Sequence, residues 1–159
     1  MNKKLVSAVI VLLFVLTVAG AGCTSSPTTT SPTPQAQTTQ TAQTGLMLTV
    51  TPLREATTIG SLSKAGTGNK FVLYNATLKN IDIKNLDVNP FWFDMRLSNG
   101  SSVGLDLFAT VGSQGYFPMT NATQPGDTVN GTIVFEIPQT AVPVAISYND
   151  LTHNATANL

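Results

Sequence analysis

The stretch Pro-Gly-Asp-Thr-Val-Asn-Gly-Thr-Ile-Val-Phe-Glu-Ile-Pro, residues 125–138, decides the fold of this chain. Within it, one set of residues alternates with another: Val129, Gly131, Ile133, Phe135 and Ile137 with Asn130, Thr132, Val134 and Glu136. Successive side chains of a β-strand point to opposite faces of the sheet, so this period of two puts each set on its own face. Pro and Gly at the two ends are typical of turns. The stretch therefore predicts a long, half-buried strand.

The same alternation recurs along the rest of the chain. It is found in residues 46–50, 72–78, 93–97, 103–105 and 142–148. Asn99-Gly100 lies between two of these segments and is a strong short-range hairpin signal. After Gly45 no segment shows the 3.6-residue period of an amphipathic helix. Six or seven short strands of this kind predict an all-β antiparallel sandwich, and roughly 115 residues are enough to bury its core without a disulfide.

Three segments carry a resemblance to a known family. They are Leu78-Lys79-Asn80, then Phe93-x-Met95-x-Leu97-x-x-Gly100, and then residues 125–138. Together they resemble the telokin-like, immunoglobulin-like domains of unknown function in secreted bacterial and archaeal lipoproteins, relatives of the mycobacterial immunoprotective extracellular antigen. The resemblance covers residues 45–148. It implies an immunoglobulin-like antiparallel β-sandwich at the cell surface, and it implies no catalytic residues.

The N-terminus predicts export. Lys3 and Lys4 precede an uncharged apolar run over residues 5–21, and small residues follow before Cys23. A basic start, an apolar middle and a small-residue end are typical of a secretory signal peptide, which we assign to residues 1–22. The sequence therefore predicts an extracytoplasmic, outward-facing protein.

Cys23 is the only cysteine, so the chain has no internal disulfide. Its place after Ala21-Gly22 resembles the lipobox of bacterial and archaeal lipoproteins, in which the cysteine thiol takes the lipid. The first predicted partner is therefore the cell membrane, through a lipid on Cys23. Two alternatives stay open, namely ordinary cleavage after Ala21 and an uncleaved apolar run that serves as the anchor.

Residues 23–44 are predicted to form a lipid-anchored, disordered linker. From Thr24 to Thr44 the chain is rich in Thr, Ser and Pro and has no charged, aromatic or large aliphatic residue. Such a segment cannot bury enough apolar surface to offset the entropy lost on ordering. The folded part is thus predicted to be one domain, residues 45–159, held away from the membrane by a Thr/Pro-rich tether.

The charge of the chain argues against nucleic acid as a partner. Only 10% of the residues are charged and the formal net charge is zero. Without Lys3 and Lys4 of the signal peptide, six basic residues stand against eight acidic ones. A protein of this charge with no basic cluster offers no surface for a phosphate backbone.

Five asparagines lie in the N-x-Ser/Thr motif that accepts N-linked glycans. They are Asn75, Asn99, Asn121, Asn130 and Asn154. On the predicted strands Asn75 and Asn130 fall on the outward face, while Asn99 and Asn121 fall at turns and Asn154 in a C-terminal tail. The motifs predict glycosylation, and the alternative is that Asn and Thr simply form a polar surface with few charges.

The sequence predicts no enzyme, no cofactor and no metal site. His153 is the only histidine, whereas zinc and copper sites usually need two or more His or Cys ligands. Residues 61–64 match the S-x-x-K motif of penicillin-recognising enzymes, but the K-T-G strand of those enzymes is missing. Asp82, Asp87 and Asn89 are hard oxygen ligands that suit calcium, but they lack EF-hand spacing, which favours a solvated loop.

Trp92 is the best candidate for a binding residue. The three successive side chains of Phe91-Trp92-Phe93 cannot all point inward on one strand. If Phe93 faces the core, Trp92 lies outward or at the rim, where an indole stacks on sugars or anchors a protein partner. The alternative is that residues 107–117 cover it.

We therefore expect a non-catalytic surface lipoprotein whose immunoglobulin-like module binds an envelope protein or polysaccharide. The alternative is a glycosylated structural surface protein without a specific ligand. A small-ligand or calcium-binding protein is a third, less favoured interpretation. The sequence does not indicate an oligomeric state.

Overall fold

The computed structural model of the protein describes residues 39–41 and 45–159. The predicted signal peptide, Cys23 and most of the predicted linker lie outside the described residues. The elements in chain order are β1 (Thr39–Thr41), β2 (Leu46–Ala56), β3 (Thr58–Ile59), β4 (Ser63–Lys64), β5 (Asn69–Asn80), β6 (Leu86–Val88), a 3₁₀ turn (Pro90–Trp92), β7 (Phe93–Leu97), β8 (Ser102–Gly104), α1 (Leu107–Gly112), β9 (Thr120–Thr123), β10 (Thr128–Pro138), β11 (Pro143–Asn149) and β12 (Asn154–Asn158). Within the described ranges, no helix has the length and apolar character needed to span a membrane.

Two sheets pack face to face and form a β-sandwich. The five-stranded sheet has the order β1-β12-β11-β7-β8, and the three-stranded sheet has the order β10-β5-β2. The ladders β3-β4 and β6-β9 stand beside them, and the pairs of named strands are antiparallel throughout. The predicted immunoglobulin-like antiparallel β-sandwich is confirmed.

The main core lies between the two sheets and is built from the alternation seen in the sequence. Strand β10 pairs with β5 along all 11 of its residues, from Thr128 to Pro138. Its inward side chains Ile133, Phe135 and Ile137 are fully buried, and they share one apolar cluster with Phe93 and Met95 of β7. Each such side chain stabilises the fold by about 1.5–3 kcal/mol relative to the exposed state. The strand pattern of residues 125–138 thus supplies one wall of the core.

A second apolar cluster lies on the outer face of the three-stranded sheet. Phe71, Leu73 and Val134 point away from the main core and are buried there against Ile59 and Ala109. Simple alternation predicts a polar outer face, so these three residues depart from it. The departure has a physical reason, because the β3-β4 hairpin and α1 cover this half of the sheet.

Helix α1 is an element that the sequence does not predict. Asp106 caps its first turn by accepting a hydrogen bond from the Ala109 amide at 2.8 Å. The hydroxyl of Thr110, buried under the helix, accepts a hydrogen bond from the Val134 amide at 3.1 Å. The helix has 6 residues, fewer than two turns, which is too short for a 3.6-residue period to show in the sequence.

Both ends of the described part are strands where the sequence predicts none. Thr39–Thr41, inside the predicted disordered linker, pair with β12 from Thr39 opposite Asn158 to Thr41 opposite Thr156. The predicted tail around Asn154 is β12 itself, with Ala155 and Ala157 fully buried. Pairing along a sheet edge uses backbone groups and needs no apolar side chain, so composition alone does not reveal β1. The prediction of a disordered linker is wrong for these three residues.

The sandwich has two ends. We call the end at which β1 begins the entry end and the opposite end the far end. At the entry end β1 begins, with Thr39 opposite Asn158, and the turns between β7 and β8 and between β10 and β11 meet there through the Ser98 amide and the Val142 carbonyl. At the far end lie the 3₁₀ turn and the β11-β12 turn, on either side of the pair Phe93–Tyr148. The hydroxyl of Tyr148 accepts a hydrogen bond there from the Asn89 amide at 3.4 Å.

Candidate interaction surfaces

Trp92 lies at the far end, in the 3₁₀ turn that precedes β7. Asn89 caps this turn, because its Oδ1 accepts a hydrogen bond from the Phe91 amide at 3.0 Å. The indole is half-buried and meets the ring of Tyr148 edge-on, with ring centroids 5.9 Å apart. The alternative expectation is that residues 107–117 cover Trp92. Helix α1, the first part of that segment, packs against β10 instead. Trp92 is therefore a rim residue that combines a packing contact with partial exposure.

Two large apolar side chains are exposed at the same end of the sandwich as Trp92. Phe91 is 53% exposed, and Leu151, in the β11-β12 turn, is 95% exposed. Leu151 also has a φ of 74°, in the left-handed region. Leucine in that region costs roughly 1–2 kcal/mol relative to glycine, and asparagine tolerates it better. Neither solvation nor local backbone geometry favours leucine here. We define the far-end rim as Phe91, Trp92 and Leu151.

Tyr148 and Asp150 hold the far end together. Burial raises the pKa of Tyr148, so its hydroxyl stays protonated and lies 3.4 Å from the Asp87 carbonyl. The Asp150 carboxylate, whose side chain is 7% exposed, accepts hydrogen bonds from the amides of Thr152 and His153 and contacts His153 Nδ1 at 3.1 Å. Burial raises the pKa of Asp150, but the hydrogen bonds from His153 and Thr152 outweigh it, and the net pKa is lowered.

We expect Asp150→Asn to lose stability mainly at neutral pH. The pKa of the Asp150 carboxyl is lower in the folded chain than in the unfolded chain. The carboxylate therefore stabilises the fold fully at pH values above the pKa of the unfolded chain, near 4. This stabilisation is lost as the pH falls through the lower pKa of the folded chain. The variant should unfold about 1 kcal/mol more easily than the wild type at pH 7, and this gap should close below about pH 4. Urea unfolding at a series of pH values measures the gap, and a pH-independent gap would contradict the assignment.

The five candidate glycosylation sites are distributed over both sheets, the β7-β8 turn and the β6-β9 ladder. Asn75 and Asn130 lie on the outer face of the three-stranded sheet as predicted, Asn75 half-buried and Asn130 exposed. Asn99 is exposed in the β7-β8 turn, as predicted. Asn121 and Asn154 are also exposed, but they lie in β9 and β12 rather than in a turn and a tail. Both predictions of local structure are wrong, because these two short strands form only through long-range pairing.

The sequons differ in how their hydroxyl residues are held. In the exposed turn, Ser101 Oγ donates to Asn99 Oδ1 at 2.8 Å. Thr132, the hydroxyl residue of the Asn130 sequon, is buried and donates instead to the Gln114 carbonyl at 3.1 Å. The folded domain therefore presents the sequon of Asn99 openly and holds that of Asn130 inside its packing.

An apolar groove of about 350 Å³ lies on the outer face of the three-stranded sheet, in the half nearer the entry end. The β3-β4 turn forms one wall and α1 the other. Three large side chains line it and face solvent, Leu62 at 95%, Phe108 at 82% and Val111 at 55% exposure. The sequence does not predict this surface. Its only local signal is a set of isolated apolar residues in otherwise polar turns.

The apparent catalytic motifs do not assemble in the described residues. His153 pairs with Asp150 inside one turn, and Ser61 and Lys64 sit exposed on the β3-β4 hairpin. Asp87 Oδ1 accepts a hydrogen bond from the Ala122 amide, while Asn89 caps the 3₁₀ turn. Among the residues that the structure describes, no three His, Cys, Asp or Glu side chains come together as a metal site. The arrangement supports binding chemistry through apolar and aromatic contacts.

Comparison with known families identifies the family of this chain. The sequence profile of DUF4352, a domain of unknown function, matches residues 36–157, which includes β1 and nearly all of β12. The chain belongs to this family. The match begins before Gly45 and therefore agrees with the inclusion of Thr39–Thr41 in the DUF4352 domain. No curated protein matches the chain in sequence.

Two solved structures share the fold of this DUF4352 domain. The secreted protein MPT63 of Mycobacterium tuberculosis is 14% identical, with a TM-score of 0.50 over 76% of this chain and 89% of its own. The ycdA protein of Bacillus subtilis subsp. subtilis str. 168, assigned as a lipoprotein, is 12% identical, with a TM-score of 0.50 over 70% of this chain and 33% of its own. At such low identity the likeness concerns the fold. It agrees with the immunoglobulin-like sandwich that the resemblance to the mycobacterial antigen implies.

Proposed function

We propose that this DUF4352 protein is a non-catalytic, lipid-anchored surface protein whose sandwich binds an envelope protein or polysaccharide through the far-end rim. The observation that carries the proposal is Leu151, which is 95% exposed at a φ of 74°. A side chain that is unfavourable in both solvation and backbone conformation supports a role in contact with a partner.

The neighbouring residues of the rim supply a suitable surface. Phe91 adds an exposed aromatic ring, and the half-buried indole of Trp92 is held in place by Tyr148. Rigid aromatic side chains lose little conformational entropy on binding, and they stack on sugars or fill pockets of protein partners. The rim lies at the opposite end of the sandwich from Thr39, where β1 begins.

The membrane anchor is part of the same proposal. The lone Cys23 follows an exported-type apolar run, and the fold is shared with a secreted protein and with one assigned as a lipoprotein. We propose that a lipid on Cys23 holds the protein on the outer side of the cell membrane. The residues before β1 then serve as the tether, and the protein needs neither a cofactor nor nucleic acid.

Leu151→Asn and Phe91→Ser are expected to weaken binding to isolated envelope material about tenfold or more, because anchor residues at interface centres contribute at least 1.4 kcal/mol. Leu151→Asn should leave the domain as stable as before or more stable, since asparagine tolerates the left-handed backbone. Co-sedimentation with the envelope fraction measures binding, and urea unfolding measures stability.

Val142→Ser is the matched control, because Val142 is 57% exposed at the entry end. It should bind as the wild type does. Protease treatment of the envelope distinguishes a protein partner, whose binding is lost, from a polysaccharide, whose binding persists. Unchanged binding of both rim variants would refute the site.

A second candidate function is a glycosylated structural surface protein without a specific ligand. It is favoured by the exposure of Asn99, Asn121, Asn130 and Asn154. If glycans are added to the folded domain, Asn99 should be occupied and Asn130 not, because Thr132 is buried and hydrogen-bonded. Intact-mass and peptide mass spectrometry of the native protein measures the glycan occupancy of the sequons and the lipid modification of Cys23 together. An unmodified chain would count against both the glycan and the lipid.

A further inference from the structure

The groove between α1 and the β3-β4 turn has a position that suggests its occupant. Its three exposed apolar side chains, Leu62, Phe108 and Val111, lie in the half of the domain nearer the entry end. Strand β1 begins at that end, opposite Asn158, so the chain from the proposed anchor reaches the domain there. Between Cys23 and β1 lie only residues 24–38, which span at most roughly 50 Å.

The charged residues are also distributed unequally between the far end and the entry end. Four of the eight carboxylates lie in or beside the far-end turns and loops with two lysines: Asp82, Asp87, Asp127 and Asp150 with Lys79 and Lys84. The entry half of the three-stranded sheet, its hairpin and the cap of α1 carry three basic residues and three acidic ones: Arg54, Lys64 and Lys70 with Glu55, Asp106 and Glu136. An anionic surface would repel the far end more than the entry half.

We propose that this apolar groove face docks on the surface of the lipid bilayer to which the protein is anchored. The proposal rests on the proposed anchoring through Cys23. Leu and Phe side chains flanked by lysine suit the boundary between headgroups and acyl chains, with the lysine amine left among the headgroups. A short tether holds the domain at an effective concentration on the order of millimolar near the membrane, so a contact made by three side chains is sufficient.

Docking orients the molecule as well as holding it. With the groove face on the bilayer, the far-end rim of Phe91, Trp92 and Leu151 lies on the part of the domain turned away from it. The domain then has two separate apolar surfaces, one that binds the membrane and one that binds a partner. This explains why the exposed apolar residues of α1 and the hairpin are kept beside the entry end.

The test places a fluorescent reporter on each surface of the full chain. Trp92 is the only tryptophan, so the wild type reports on the far end. The double variant Trp92→Phe, Phe108→Trp moves the sole indole to the groove, where position 108 is 82% exposed and tolerates the larger ring. Cys23, the only thiol, is coupled to a maleimide phospholipid, so that attachment does not depend on the native modification.

Vesicles of phosphatidylcholine brominated in its acyl chains, mixed with phosphatidylglycerol, quench indoles that reach the acyl-chain boundary. We expect the indole at position 108 to lose roughly half of its fluorescence and Trp92 almost none. Adding Leu62→Ser and Val111→Ser should abolish the loss at position 108, whereas Met119→Ser, an exposed residue outside the groove at 60% exposure, should not.

Equal quenching at positions 92 and 108, or none at position 108, would overturn docking. Quenching lost on dilution of the protein within the membrane, together with a dimer in cross-linking, would also overturn it and assign the groove to a second copy of the chain. Failure of the proposed anchor shows separately, as unmodified Cys23 in mass spectra of the native protein, because the coupled lipid does not rely on it.

Discussion

Gly131→Ala is expected to destabilise the domain by about 3 kcal/mol or more, a large share of the 5–15 kcal/mol typical of a folded domain. Gly131 occupies an inward position of β10, and a Cβ there would lie 2.4 Å from Phe117 Cα and 2.6 Å from Phe117 N. Both are backbone atoms, so no side-chain rotation relieves the clash. Urea or thermal unfolding of the variant gives the change in free energy.

The backbone that meets Gly131 has little freedom to move. The Phe117 amide donates to the Thr132 carbonyl at 2.9 Å, and the Thr132 amide donates to the Gly115 carbonyl at 2.7 Å. The Phe117 ring is buried and meets Phe93 at a centroid distance of 4.9 Å. Shifting the segment to admit a methyl group would break this contact or these hydrogen bonds.

Gly104→Ala is the matched control for the Gly131 prediction. Gly104 is also a strand glycine, but a Cβ there would meet nothing closer than Asp94 Oδ1 at 3.7 Å. It should change stability by less than about 0.5 kcal/mol, as surface substitutions usually do. A Gly131→Ala variant as stable as this control would show that the Phe117 segment does not pack as described.

Asn80→Ala is expected to cost about 2–4 kcal/mol, because it leaves buried polar groups without partners. Asn80 is 2% exposed at the end of β5. Its Nδ2 donates to the Ile83 carbonyl at 2.7 Å and its Oδ1 accepts from the Ile83 amide at 2.9 Å. Asn80 Nδ2 also donates to the Thr123 carbonyl at 3.3 Å. This contact joins the turn after β5 to β9.

Asn80→Asp separates the polar role of this residue from its volume. The variant keeps the acceptor for the Ile83 amide, but at neutral pH it turns a carboxylate toward two carbonyl oxygens. Such a carboxyl has a raised pKa in the folded state, so the variant should regain stability as pH falls and the group becomes a donor. Asn158→Ala, an exposed asparagine at the end of β12, should stay near wild type at every pH. Equal stability of Asn80→Ala and Asn158→Ala would contradict the role of Asn80.

The candidate site was only partly predictable. The rule that three successive side chains cannot share one face points to Trp92, and Trp92 does lie at the rim. The sequence does not predict a role for Leu151, whose only local signal is an apolar residue in the polar segment Asn149-Asp150-Leu151-Thr152. Its left-handed backbone becomes visible only when the turn is built. Glycosylation of the five asparagines and lipidation of Cys23 stay predictions.

The sequence by itself determined strands β2, β5, β7, β8, β10 and β11, because the alternation of side chains along each of them is a local property that any sheet must respect. It also contains a single thiol and predicts an export signal, because both are properties of adjacent residues. Tertiary structure alone decided the addition of β1, the placement of α1 over Val134, the need for glycine at 131 and the grouping of Leu62 with Phe108. Each of these depends on contacts between residues far apart in the chain, and the free energy of such contacts is not written in any local pattern.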